Sequence, residues 1–156
     1  MDFRKIVPMF LVIFILGVSI IGTHSVYAAP NSEQHTTTIK IDSVLLYAFF
    51  EWEPSHPPFS KKIMNDMIRP KLYVESQLYV DGKTKICELI HYDLYNDKNQ
   101  KIAQDWDKTG IIIPATGTFD IKNLPTGKYT IVASNSGDFH AGLPSTSTSY
   151  TFSIVD

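Results

Sequence analysis

Between Lys71 and Asp81 the side chains alternate: Leu72, Val74, Leu78 and Val80 fall on one face, and Lys71, Tyr73, Glu75, Gln77, Tyr79 and Asp81 on the other. Successive side chains point to opposite sides only in extended backbone, so the segment is predicted as a strand with one face buried. Such a strand requires a second apolar layer to cover it. Asp81-Gly82 then forms a dipeptide suited to tight turns, and the next apolar run, Ile86 to Tyr95, is predicted as the returning arm of a hairpin. That run is apolar on both faces, with Ile86, Ile90, Tyr92 and Leu94 against Cys87, Leu89 and Tyr95, which is the pattern of an interior strand.

Shorter extended segments follow the same logic at Thr36 to Asp42, Val44 to Phe50, Gln100 to Gln104, Thr118 to Ile121, Lys128 to Ser134 and Thr148 to Val155. Turn residues separate them at Asn96 to Asn99, Thr116-Gly117, Pro125-Thr126-Gly127 and Ser136-Gly137-Asp138. One helical spacing stands out, Phe59, Ile63, Met64, Met67 and Ile68, with Ser60 placed to cap its start and Pro57-Pro58 and Pro70 confining it. Many short strands with turns every eight to twelve residues predict an all-β chain, an immunoglobulin-like antiparallel β-sandwich of about seven strands.

Ahead of this unit, Arg4 and Lys5 precede an apolar run from Ile6 to Gly22, which exits through Val26-Tyr27-Ala28-Ala29-Pro30. A basic start, an apolar middle and a small-residue exit predict a secretory signal helix over residues 1–29, cut after Ala28 or Ala29. An uncleaved anchor is the competing reading, since the run is near the shortest that spans a bilayer. No cysteine stands at the exit of the run, so it is not a lipoprotein signal. The expected product is one secreted domain, residues 30–156, with no stable membrane anchor after cleavage.

Without the leader the chain carries twelve Lys and Arg against fifteen Asp and Glu, with no run of like sign, so nucleic acid is not an expected partner and neither is an anionic membrane surface. Cys87 is the only cysteine, so no disulfide can form within the chain, and burial as a small apolar residue in its strand is expected of it over pairing between chains.

The stretch Gly117-Thr118-Phe119-Asp120-Ile121-Lys122-Asn123-Leu124-Pro125-Thr126-Gly127-Lys128-Tyr129-Thr130-Ile131 resembles the ending of transthyretin-like and fibronectin-like β-sandwich domains of bacterial surface proteins. In those domains a strand runs through Leu-Pro-x-Gly-x-Tyr into the next, and the resemblance implies that the Tyr129 hydroxyl bonds backbone across the corner, a tyrosine corner. His91 to Ala103 also looks like the strand, turn and strand of such modules, and the chain with its leader is similar to small secreted proteins of unassigned function from Gram-positive, Bacillus-type spore formers. The resemblance implies a fold and no activity.

Sharper motifs fail on their own chemistry. Leu124-Pro125-Thr126-Gly127 lacks the extra residue and apolar tail of a sorting signal. His35, His56, His91 and His140, with Asp93, Asp105 and Asp107, show no zinc spacing, and Asp97-Lys98-Asn99 lacks the glycine and distal glutamate of a calcium loop, so no metal or cofactor is expected. No nucleophile elbow is present, and Glu51 and Glu53 around Trp52 are too close in sequence for a glycosidase pair, so the chain is not expected to be an enzyme.

What remains is a non-catalytic extracellular binding or structural module for a cell-wall glycan or a protein, with Tyr73, Tyr79, Trp52 and Phe59 as candidate ligand contacts and Trp106 as a further aromatic near a loop. The alternative is a secreted inhibitor of a protease that presents the segment Glu51 to Pro70. Burial of Phe59, Ile63 and Met67 would count against it.

Overall fold

The computed structural model describes residues 35–48, 54–138 and 142–156. The predicted signal segment of residues 1–29, Glu51, Trp52, Glu53 and His140 lie outside the described residues. In chain order the elements are β1 (Thr37–Tyr47), β2 (Phe59–Ser60), α1 (Lys61–Asp66), β3 (Lys71–Val80), β4 (Thr84–Lys85), β5 (Leu89–Tyr95), β6 (Lys101–Lys108), β7 (Ala115–Asp120), β8 (Gly127–Asn135) and β9 (Thr146–Val155).

They form two sheets packed as an all-β sandwich. In the first, β3 is central, with β1 antiparallel along one edge and β7 and the short β4 along the other. The second runs β2-β9-β8-β5-β6, antiparallel throughout except for the brief parallel contact of β2 with β9. Counting only the seven strands of six to eleven residues, the sheets are 1-2-5 and 7-6-3-4, an immunoglobulin-like arrangement.

The alternation in β3 places Leu72, Val74 and Leu78 wholly inside, facing Ile90, Tyr92 and Leu94 of β5 and Ile131 and Ala133 of β8 across the core. Val80, at the strand's end, is only half-buried, whereas Gln77, expected on the polar face, is buried. Its amide is covered by two loops, donating to the carbonyls of Gly110 at 3.1 Å and Ile86 at 3.5 Å.

Four local expectations are corrected. Asp81-Gly82 does turn the chain, but the strand that returns beside β3 is the two-residue β4, and β5 crosses to the other sheet. The reason is the core: Ile90, Tyr92 and Leu94 supply the apolar layer that β3 needs opposite it rather than beside it. Cys87 therefore lies in the crossover, outside any strand, and its side chain is exposed instead of buried. Thr36 to Asp42 and Val44 to Phe50 are not separated by a break: β1 runs from Thr37 to Tyr47, with a register shift between Ile41 and Ser43 that absorbs the extra residue, while Phe49 and Phe50 lie outside the described residues. Thr116-Gly117 is not a turn but the middle of β7.

Gly117 is explained by Tyr92. A Cβ at position 117 would stand 2.7 Å from Cγ of that ring, closer than carbon atoms pack. The ring reaches across the sandwich so that its hydroxyl meets the Ser76 hydroxyl and donates to the Ala115 carbonyl at 3.0 Å, tying β5 to two strands of the opposite sheet. Burial pushes the phenol up from 10.0 to about 12, against the smaller opposing influence of the Ser76 hydrogen bond. Below pH 10 both folded and unfolded chains hold this proton; above it the unfolded chain releases it first, so stability falls as pH rises from 10 towards about 12. Denaturant titrations below and above pH 10 should show this loss, and Tyr92→Phe should flatten it. The same substitution should cost about 1–3 kcal/mol at neutral pH, because Ser76 and the Ala115 carbonyl lose their partner.

The open edge of β7 is closed by β6. Asp105 accepts the Thr118 N–H at 2.7 Å and Asp107 the Thr116 N–H at 2.9 Å, so carboxylates from one sheet occupy donors on the edge of the other.

Candidate functional site

The outer face of the first sheet carries a groove of about 720 Å³ lined by Tyr47, Ala48, Arg69, Lys71, Tyr73, Glu75 and Thr116. Strand alternation creates it: Lys71, Tyr73 and Glu75 all point outward from β3 because Leu72 and Val74 point in. Tyr47 ends β1 opposite Lys71, one step along from Tyr73, and the two tyrosine rings meet edge to face with centroids 5.0 Å apart at 80°. Aromatic pairs favour this arrangement, which fixes both rings and leaves apolar ring surface at the groove wall.

Charged groups line the groove beside the rings. The Glu75 carboxylate accepts from the Ser43 hydroxyl at 3.0 Å, and Lys71 pairs with Asp120 at 3.4 Å. Arg69 enters from the short link between α1 and β3 in a left-handed conformation, φ 53°, and among the described residues its guanidinium has no acidic partner. A rigid aromatic pair flanked by donors and acceptors can stack on the apolar face of a sugar ring while hydrogen-bonding its hydroxyls.

The predicted ligand contacts separate. Tyr73 is in the groove. Tyr79 lies on the same face but about 20 Å along the strand, with the Lys40 ammonium 5.0 Å from its ring centroid, so the two tyrosines do not form one platform. Trp52 lies outside the described residues. Phe59 is a core residue, 1% exposed, and cannot touch a ligand: it pairs with Ile154 through β2 and packs on Phe152 at 5.5 Å. Trp106, by contrast, is 65% exposed on the outer face of the second sheet, opposite His91.

Of the groove lining only Tyr73 is a sequence candidate; Tyr47, Ala48, Arg69, Lys71, Glu75 and Thr116 are not. Tyr47 could be found only by knowing the register of β1 against β3, which the shift at Ile41 to Ser43 conceals.

The other motifs have structural employment. Asn96 closes the β5–β6 turn by accepting from Lys98 N and Gln100 N, at 3.0 and 2.9 Å. Leu124 to Gly127 form the corner before β8, where the Tyr129 hydroxyl donates to the Pro125 carbonyl at 2.8 Å, the bond that the tyrosine-corner resemblance implies. Burial raises the Tyr129 phenol, whose ring stacks on Phe152. His35 bonds Asp81 at 3.0 Å and Lys101 pairs with Asp93 at 3.3 Å, and among the described residues no three His, Cys, Asp or Glu side chains come together as metal ligands would.

Comparison with protein-family models, curated proteins and solved structures found no match.

Proposed function

We propose that this chain is a secreted, non-catalytic binding module of the extracellular space, and that the groove over Tyr47 and Tyr73 takes a cell-wall glycan. The observation that carries the reading is the edge-to-face tyrosine pair set between Arg69, Lys71 and Glu75 on the outer face of the first sheet. Export is supported by the basic, apolar and small-residue sequence of residues 1–29, and origin in a Gram-positive spore former by the similarity of the chain with its leader to small secreted proteins of such bacteria.

The inhibitor reading of Glu51 to Pro70 is weakened. Phe59 and Met67 are buried, and although Ile63 is exposed, the segment is held down by Lys61, whose ammonium donates to the carbonyls of Lys122 and Leu124 at 2.8 and 2.7 Å. Ser60 caps α1 as expected, accepting from Ile63 N at 3.4 Å, and Met64 inserts into the core.

Binding to purified cell wall tests the proposal. Tyr47→Ala/Tyr73→Ala should lower the retained fraction at least tenfold, and Arg69→Ala/Glu75→Gln should lower it several-fold while leaving the aromatic pair intact. Retention that neither variant changes would overturn the glycan reading. Capture of a single soluble enzyme instead would revive the inhibitor.

A further inference from the structure

The groove over Tyr47 and Tyr73 has two unlike ends. Across the outer face of the first sheet, side chains of β1, β3 and β7 stand in rows: Tyr47, Lys71 and Asp120, then Leu45, Tyr73 and Thr118, then Ser43, Glu75 and Thr116. Lys71 and Glu75 are four residues apart on one strand, so the first and third rows lie about 13 Å apart with the Tyr73 ring between them.

The third row is anionic. Glu75 is half-buried, and the Ser43 hydroxyl donates to one of its oxygens at 3.0 Å, which orders the carboxylate and leaves its charge in place. Among the described residues no cation pairs with it. Further acids flank the row: Asp42 is exposed in the β1 bulge, and Asp107 lies beyond Thr116, accepting its N–H at 2.9 Å. Their charge reaches into the sheet. Burial does most to hold the proton on the Tyr92 phenol, which bonds Ser76 and Ala115 next to this row, and Asp107, Asp105 and Asp42 add to it. Lysines of the neighbouring strands are directed elsewhere: the Lys40 ammonium is 5.0 Å from the Tyr79 ring centroid, Lys85 stands opposite Tyr79, and Lys108 leaves β6 on the face opposite to Asp107.

At the first row the sign reverses. Lys71 and Asp120 neutralise each other at 3.4 Å, and Arg69, just before Lys71, is exposed with no acidic partner among the described residues. Asp66 on α1 forms no ion pair with it. The groove therefore balances as a whole, with its unpaired charges, Arg69 and Glu75, on opposite sides of the tyrosine pair.

We infer that the glycan of this groove carries both charges on different sugars: an amino sugar whose free amine lies over Tyr73 against Glu75, and an acidic sugar whose carboxylate meets Arg69. The inference rests on the glycan reading proposed above and adds the substituents and the direction of the chain. A sugar ammonium is attracted by the tyrosine face and by the carboxylate together, whereas N-acetylation leaves Glu75 facing an uncharged amide. At the other end a guanidinium takes a carboxylate through two parallel N–H bonds. The rows are further apart than a single sugar ring is wide, so one residue cannot supply both groups. Neither a neutral glycan nor a uniformly anionic one matches both ends.

The test uses glycan strands from purified cell wall, freed of peptide so that every remaining amine and carboxylate sits on a sugar, and partly de-N-acetylated to supply amines. Retention of the chain is measured on these strands, on the same strands re-acetylated with acetic anhydride, and on the same strands with carboxylates amidated through a carbodiimide. Re-acetylation should lower retention of the parent several-fold and leave that of Glu75→Gln unchanged; amidation should lower the parent several-fold and leave Arg69→Gln unchanged. Each variant then loses its response to one treatment only, a pattern that misfolding, which lowers retention on all three preparations, does not produce. A parent indifferent to both treatments, or sensitive to one alone, would overturn the inference and leave the glycan reading standing. A parent retained on none of the three preparations would overturn both.

Discussion

Gly117→Ala should destabilise the domain by about 3 kcal/mol, a large cost for adding one methyl group. Residue 117 has no left-handed backbone to protect, so the conformational argument for glycine does not apply. Space is what it protects: the new Cβ meets Tyr92 at Cγ, Cδ2 and Cβ, 2.7, 2.9 and 3.1 Å away. These atoms lie at the root of the side chain and cannot swing clear, so relief requires β7 or β5 to shift and the Tyr92 bonds to Ser76 and Ala115 to loosen. The melting temperature should fall by about 10 °C. Thr118→Ala, on the half-buried face of the same strand, should cost under about 1 kcal/mol. A Gly117→Ala variant as stable as the parent would mean that β7 is not where the structure places it.

Phe59→Ala should cost about 3–5 kcal/mol, the range for truncating a buried aromatic side chain. The ring joins a stack that continues through Phe152 to Tyr129, so its loss opens a cavity beneath the tyrosine corner as well as beside α1. Met64 and Met67 pack into the same core, and β2 has only two residues with which to hold the segment to β9. Thermal melting therefore separates two roles for Phe59. A ligand contact on the surface would leave the melting temperature almost unchanged while weakening binding; a core anchor should lower it by more than 10 °C.

The features legible in the sequence were those set by neighbours along the chain. Leu72, Val74 and Leu78 reveal the buried face of β3 by period alone, Ser60 announces the start of α1, and the spacing from Leu124 to Tyr129 announces the corner. The features that were missed depend on distant partners. Gly117 looks like a turn residue until Tyr92 is placed against it, and Gln77 looks solvated until the Gly110 loop covers it. Cys87 looks like a strand residue because a local Asp-Gly signal predicts a hairpin, whereas the chain needs that stretch to pass from one layer to the other. The groove was half legible for the same reason. Tyr73 follows from alternation, but its companions Tyr47 and Arg69 come from a bulged strand and a short link whose positions only pairing reveals.

An odd number of long strands sets the two ends of the folded unit at opposite poles, β1 starting beside Val80 and β9 finishing beside Gly127. Tension applied between those ends would pull β1 and β9 lengthwise against β3 and β8, to which they are bonded along almost their whole lengths. Loaded in that direction the ladders share the force across many bonds at once instead of opening one by one like a zip, so a domain tethered at both poles would be built to resist stretching.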